Sequence, residues 1–360
     1  MGKITIKSIA KDLNMSRNTV AMALKNNPKV AESTRERILT YAVSVGYDPS
    51  IATGGEFLPA LENSGARILI LRRPDKTAYW DRVVSGISQS AASKNFIINI
   101  DIVTQEDIDA LQMPACYSDD LDCVMFLHKF GREYEKMLLS GGKTGIFLDR
   151  DGYTRNVPLM GDVIKTEGHR SIYTIVEKLA GQGLKRIAYL CPFSIGAETF
   201  DDREIGFRHA MFEMGIPIEP RFFFNHSDTR DKALALETAL RRFLPDSVST
   251  ETPLVEALSE HKSKLPDAIV CANDDSCIRC ARILKSAGIR IPEDIAMTGY
   301  DNDEYDSYMP FMTTVESNAF ILGVRMVEQF CRRRVHKNAP FETITLESFP
   351  IFRRSSEKYL

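Results

Sequence analysis

Nowhere in its 360 residues does the sequence approach 18 uninterrupted apolar positions, so no membrane-spanning helix is expected. Its seven cysteines, an odd number scattered from Cys116 to Cys331, do not make a disulfide framework and read as reduced thiols. Met1 to Ala10 alternates Lys with Ile and lacks the apolar core and small-residue cleavage site of a secretory signal; a cytoplasmic location is expected. The six histidines are dispersed, and neither a His-Glu-x-x-His helix nor a Gly-x-Ser-x-Gly elbow occurs. Ser140-Gly141-Gly142-Lys143-Thr144 has the end of a phosphate-binding loop, but Met137 stands where its first glycine belongs and the segment precedes a strand. Cys271, Cys277 and Cys280 have no second Cys or His pair at zinc-finger spacing; Cys271 ends a buried strand and the other two share one face of the next helix. An enzyme, a cofactor and a metal are therefore all unexpected.

What is present is an ordinary globular composition, 44% hydrophobic and 26% charged, on a chain long enough for two or three domains. The net charge of −3 is unevenly spread. Residues 1–50 hold eight Lys or Arg against four acids, a net of +4, which leaves −7 on the rest. A basic head on an acidic body is the charge footprint of a polyanion-binding domain joined to something else.

In the head, apolar residues recur at three- and four-residue steps: Ile6, Ile9, Ala10, Leu13; Val20, Ala21, Leu24; Ile38, Tyr41, Ala42, Val45. This predicts three short helices. Asn14 can take the left-handed conformation that ends the first, and Ser16 can cap the second, giving a tight helix-turn-helix. The second helix opens on Ser16-Arg17-Asn18-Thr19, whose hydroxyls and backbone N–H groups suit phosphate, while Arg17 and Asn18 suit guanine and adenine edges. A capping box, Ser33 to Glu36, predicts the start of the third helix, which ends near Gly46 with Pro49 beyond. A three-helix cap that only packs on its neighbour would share the same spacing.

Thr5 to Ala10, Ser16 to Val20, Val30 to Ile38 and Gly46 to Pro49 resemble the headpiece of the lactose/galactose repressor family, without a gap over about 45 residues. The resemblance implies a homodimer on a pseudo-palindromic operator in double-stranded DNA, one recognition helix per half-site. It places DNA contacts at Thr5, Ile6, Lys7, Ser16, Arg17, Asn18, Thr19, Met22, Lys25, Lys29, Thr34 and Tyr47. Ala21 and Met22 depart from the family, where a Ser and a base-reading Arg are common; Met22 can touch only a thymine methyl. The family's hinge helix, Asn-x-x-Ala-x-x-Leu, meets Ser50 to Pro59, with Thr53 at the Ala position, Glu56 at the Leu position and Gly54-Gly55 between. Each glycine costs about 1 kcal/mol in a helix. A flexible linker and a weakly kinked operator are expected, a wedge shifted to Phe57 or Leu58 being the alternative.

Beyond Arg67, short apolar runs alternate with helix-length amphipathic stretches: Ile68–Leu71, Phe96–Ile102, Leu121–Leu127, Thr144–Leu148, Arg186–Leu190, Ala268–Cys271 and Ile295–Thr298. The alternation predicts parallel sheets covered on both faces, in two α/β subdomains. Polar residues follow several strands, where open parallel sheets bind ligands: Asp149-Arg150, Asn273-Asp274-Asp275 and Tyr300-Asp301-Asn302. This body resembles the family's effector module, itself similar to periplasmic sugar-binding proteins. The resemblance implies that Arg203, Asn273 and Asp301 bind a small molecule, expected to be a sugar or sugar derivative, with Asp149 in the cleft and Tyr79 and Trp80 at its mouth. Competing readings are a core or interface role for Trp80, loop capping for Asp301, and a surface pair with Asp202 or Glu204 for Arg203. Glu316-Ser317 departs from the family's basic residue and Gln, so ligand identity does not transfer.

The expected organisation is multidomain: an all-α helix-turn-helix headpiece at 1–49, a linker at 50–64, and at 65–360 a periplasmic-binding-protein-like effector and dimerisation module. Its subdomains are expected at 65–160 plus 295–318 and at 161–294 plus 319–360. The reading is a ligand-responsive regulator, a repressor, with operator DNA, a carbohydrate and a second copy of itself as partners. No leucine heptad closes the sequence, so no coiled-coil tetramer is expected.

Overall fold

A computed structural model of the chain describes residues 5–25, 27, 29–44, 47, 65–74, 77–149, 158–192, 197–225, 229, 231–303 and 310–357. The hinge-helix reading of Ser50 to Pro59, and Gly46 and Pro49, lie outside them.

In the head, α1 (Ile6–Asp12), α2 (Arg17–Leu24) and α3 (Glu32–Ser44) close over Ile9, Val20, Leu24 and Ile38, all fully buried. Both ends of the turn are chemically specified. Asn14 takes φ +54°, which an Asn tolerates better than most residues, and the Ser16 hydroxyl accepts from Thr19 N at 2.9 Å. Thr5 and Ser8 form a reciprocal capping box on α1. Ser33 lies inside α3 instead of capping it, because Arg35 N already donates to Ala31 O.

The body holds two parallel sheets. The first runs β11 (Thr343–Leu346), β5 (Asp162–Thr166), β4 (Thr144–Leu148), β3 (Cys123–Phe126), β1 (Arg67–Arg72), β2 (Ile97–Ile102). The second runs β7 (Phe223–Phe224), β6 (Ile187–Leu190), β8 (Ala268–Cys271), β9 (Ala296–Thr298). An antiparallel pair, β10 (Thr314–Glu316) with β12 (Phe349–Ile351), completes it. Alternate residues of β1 serve opposite faces: Ile68 and Ile70 pack in the core that includes Val83, Met326 and Phe330, whereas Leu69 and Leu71 pack with Phe130 and Tyr134. Cys271, Cys277 and Cys280 all sit in one core of the second sheet. Among the described residues no helix is long and apolar enough to cross a membrane.

The partition of the subdomains differs from the expected one. β5 pairs with β4 and β11 in the first sheet, and β9 pairs with β8 in the second. The helix α12 (Ala319–Val335) packs in the first core, beside α4 (Ala78–Ala92). The first subdomain is therefore built from 65–166 plus 319–346, and the second from 169–316 plus 349–357. β5 escaped detection because Asp162 and Lys165 break its apolar run, although both are buried in the fold. The chain thus crosses between subdomains near 167, 317 and 347, and the crossings are bonded together: Ser348 Oγ donates to Glu167 O at 2.6 Å and Asn318 Nδ2 to Glu347 O at 2.9 Å.

Helices α4 and α12 cross at contact distance through two glycines. A Cβ on Gly86 would stand 2.0 Å from Phe320 O, and one on Gly323 would stand 2.1 Å from Val83 O. In an unobstructed helix Gly→Ala gains about 1 kcal/mol. Here the clash with backbone dominates, and Gly86→Ala is expected to lower unfolding free energy by about 1–3 kcal/mol. Urea denaturation checks this; a gain in stability would mean the crossing yields to one methyl.

Candidate functional site

The cleft is assembled at the carboxyl ends of both sheets, where strands release polar residues. On the second subdomain, α8 (Glu198–Glu213) carries Arg203, which is 3% exposed. Its guanidinium lies 3.6 Å from the Tyr300 ring centre and 4.4 Å from that of Phe200. Nη1 donates to Ala272 O at 2.6 Å, and Nη2 lies 3.7 Å from Asp301 Oδ1. Nε is buried, and among the described residues no group accepts from it. Asp202 and Glu204 do not compete for it: they pair with Lys165 and Arg208.

Asp301 follows β9 at φ +114°. Its N–H donates to Val315 O, and its carbonyl accepts from Arg82 Nη2 at 2.5 Å, so the first subdomain reaches this loop. Burial pushes its carboxyl up to about 7, against the pull of Arg203 and Arg82. Asn273 caps α11 (Asp274–Ser286), its Oδ1 accepting from Ser276 N and Oγ. Only its amide nitrogen is thereby left for a ligand. The neighbouring Asp274 is 1% exposed and accepts from Thr314 Oγ1 and Asp303 N. Burial first, and Asp301 second, push it up to about 8.

The first subdomain contributes α4 and the strand ends. Tyr79, on the first turn of α4, is pushed well upward by burial and by Asp301, with Arg203 opposing. Trp80 packs against the first core and over His128, ring centres 3.8 Å apart. His128 Nδ1 accepts from Arg73 N at 3.3 Å, which leaves the proton on Nε2, a buried atom with no partner among the described residues. Burial pushes its pKa down to about 3, aided by Arg72 and Arg73. Asp149, at φ +67° after β4, accepts from Thr199 N at 3.3 Å and from the Thr199 hydroxyl. The fold therefore gathers Tyr79, Asp149, Arg203 and Asp301 around one place, with Trp80 and Asn273 on its borders. Sequence reading missed His128, Arg82 and Lys165, while Asp274 and Tyr300 stand in the polar runs it read after their strands. A polar residue at the end of an apolar run, as in Phe126-Leu127-His128, was the available signal.

On the head, Thr5, Lys7, Ser16, Arg17, Asn18, Lys25 and Lys29 are exposed, with Thr19 and Thr34 half-buried. Ile6 and Met22 pack partly on the head core. Tyr47 is a correction: it is 9% exposed and belongs to that core, so its ring offers little surface to DNA.

A helix-turn-helix with an exposed, polar first turn, on a body of two parallel-sheet subdomains around a polar cleft, defines a transcriptional regulator of the ligand-binding class. The periplasmic binding protein-like domain family matches residues 176–356, half of the chain. The HTH-type transcriptional repressor PurR of Mannheimia succiniciproducens is 22% identical over 357 residues, covering 98% of this chain and 99% of its own. Among solved structures, a transcriptional regulator CelR–cellobiose complex matches at TM-score 0.62 and 18% identity, over 98% of this chain and 100% of that one. A lac repressor dimer bound to operator and the anti-inducer ONPF matches at 0.61 and 17%, over 99% of each. The chain belongs to the lactose/galactose repressor family of transcriptional regulators.

The two raised carboxyls give stability a pH dependence. Folded Asp274 and Asp301 hold protons that the unfolded chain has lost above the usual carboxylate range, so stability falls as pH rises toward about 8 and about 7. His128 acts oppositely, but only below its ordinary value of 6.5, where the unfolded chain takes up a proton that the folded one refuses. Between about pH 6.5 and 8.5 the carboxyls alone act, and the urea midpoint is expected to drop. Asp274→Asn should flatten that slope; an unchanged slope would show that Asp274 does not cause it.

Proposed function

We propose that this chain is a ligand-responsive repressor that binds a pseudo-palindromic operator as a homodimer and is controlled by a small molecule, a sugar or sugar derivative. The observation that carries the ligand half is Arg203: a buried guanidinium between two aromatic rings, with Nε–H unspent, at a junction of both subdomains. Such a fork and the nearby carboxylates suit vicinal hydroxyls, and the half-buried Trp80 supplies an apolar face for a ring. Arg203, Asn273, Asp301, Asp149 and Tyr79 are the proposed ligand contacts.

The DNA half rests on Arg17 and Asn18, exposed in the first turn of α2 behind the Ser16 cap. Thr5, Lys7, Ser16, Thr19, Lys25, Lys29 and Thr34 supply polar contacts to the backbone, with Ile6 and Met22 as apolar ones. One head reads too short a stretch for specificity, so two are needed. The edge strand β2 offers a self-association surface, leaving Ile97, Ile100 and Ile102 exposed near Leu111 and Met113.

Trp80 is the only tryptophan, so intrinsic fluorescence reports the cleft without a label. Titration of the full chain with a panel of mono- and disaccharides, sugar phosphates and nucleobases should find a ligand that changes it. At 100 times its dissociation constant that ligand should add about 2.7 kcal/mol of stability. Arg203→Ala should abolish the response and keep DNA affinity; a collapse of DNA binding instead would make Arg203 structural. Arg17→Ala, tested on a site selected from random duplexes, should cost about 1–3 kcal/mol and broaden the selected sequence. An equal loss on non-selected DNA would count against base reading.

A further inference from the structure

Lys165 is 7% exposed, one residue from the end of β5, where the strand has run past its pairing with β4. Its ammonium does not stay within its own subdomain. It reaches the first turns of α8, lying 2.6 Å from Glu198 Oε1 and 2.7 Å from Asp202 Oδ2, three side chains that keep between 9% and 18% of their surface. Burial alone would depress the ammonium's pKa, but the hydrogen bonds to Asp202 and Glu198 outweigh it and hold the charge in place. Thr199, between those two acids, is held by Asp149, also of the first subdomain. Arg203 is the next residue after Asp202.

We propose that Lys165 is the residue by which the first subdomain positions the ligand-site helix α8, and with it Arg203, before any ligand arrives. The alternative, an ion pair that merely adds stability, fails on placement. A stabilising pair could join any two surfaces, whereas this cation spends both contacts on the one helical segment that presents the clamp. Without it both carboxylates lose their bond to the ammonium in a mostly buried junction, which favours movement of the start of α8 toward water. A ligand on Arg203 and the ammonium of Lys165 thus act on adjoining turns of one helix, the arrangement that lets occupancy bias subdomain closure.

The proposal rests on the cleft being the ligand site, but its test uses none. Hydrogen exchange of the full chain, read by mass spectrometry over residues 198–206, is compared for Lys165→Met, Lys165→Arg and a core truncation on α12, Val327→Ala. Trp80 quenching by acrylamide is read in parallel. Lys165→Met should speed exchange of that segment about tenfold and raise quenching, with Lys165→Arg close to the parent and Val327→Ala unchanged there. If Lys165→Met does not fold, Glu198→Gln combined with Asp202→Asn removes the same contacts and should speed the same segment. The proposal is overturned if the Lys165 or acid variants match Val327→Ala over 198–206, or if Lys165→Arg is as fast as Lys165→Met. A failed ligand search would leave this result intact, and slow exchange in Lys165→Met would leave the cleft a ligand site.

Discussion

Two opposite charges buried on the five residues of β5 tie the body together. Asp162, fully buried, takes a two-pronged ion pair from Arg333 of α12 and also accepts from Glu342 N at 2.8 Å, so strand, helix and the approach to β11 are locked in one network. Three residues on, Lys165 is locked to α8. Each charge is affordable in the interior only because its partners are in place. Removing one partner of such a pair commonly costs about 3–5 kcal/mol, while pairing itself adds little beyond an apolar equivalent. One pair joins α12 to the first sheet, and the other joins α8 of the second subdomain to it.

That constraint places the cleft. β5 leads directly into the first crossing, where Glu167 O accepts from Tyr300, in the loop after β9, and from Ser348, at the third crossing. Tyr300 in turn forms one wall of the Arg203 cage. Crossing and clamp therefore share a side chain. Subdomain motion about the crossings must disturb the environment of Arg203, and a change at Arg203 must be felt at the crossings.

The local parts of this design were legible in the residue order. Asn14 and Ser16 are read from their own chemistry, because a left-handed turn and an N-cap need nothing beyond neighbours three residues away. The apolar strands β1, β3, β6 and β8 were equally visible. β5 was not, since a strand carrying Asp162 and Lys165 resembles a surface segment until Arg333, Glu198 and Asp202 are folded against it. The same blindness misassigned the subdomain halves, for α12 and β9 each look able to join either sheet. Arg203 had two acids beside it in sequence and pairs with neither, because helical geometry sends Asp202 toward Lys165 and Glu204 toward Arg208. The residue order placed Asp301 among the polar residues after a strand, and family resemblance gave it a ligand role.

An unliganded clamp of this kind carries its own cost. Arg203 Nε and His128 Nε2 are donors removed from water, and among the described residues nothing accepts from them. Each such group costs about 1–3 kcal/mol relative to a satisfied one. The fold holds them there because Arg203 is fixed elsewhere, by Ala272 O, Asp301 and two rings, and His128 by Arg73 N and Trp80. On the proposed function, a ligand held between the subdomains that presents an acceptor to Arg203 Nε relieves the cost of that group. The relief is therefore larger in one arrangement of the subdomains than in another, and that difference is what a ligand must supply to shift an equilibrium, however tightly it binds. Since the helix bearing Arg203 is also gripped by Lys165, the proposed ligand and that ammonium act on one element, which is the link a ligand needs to bias subdomain position.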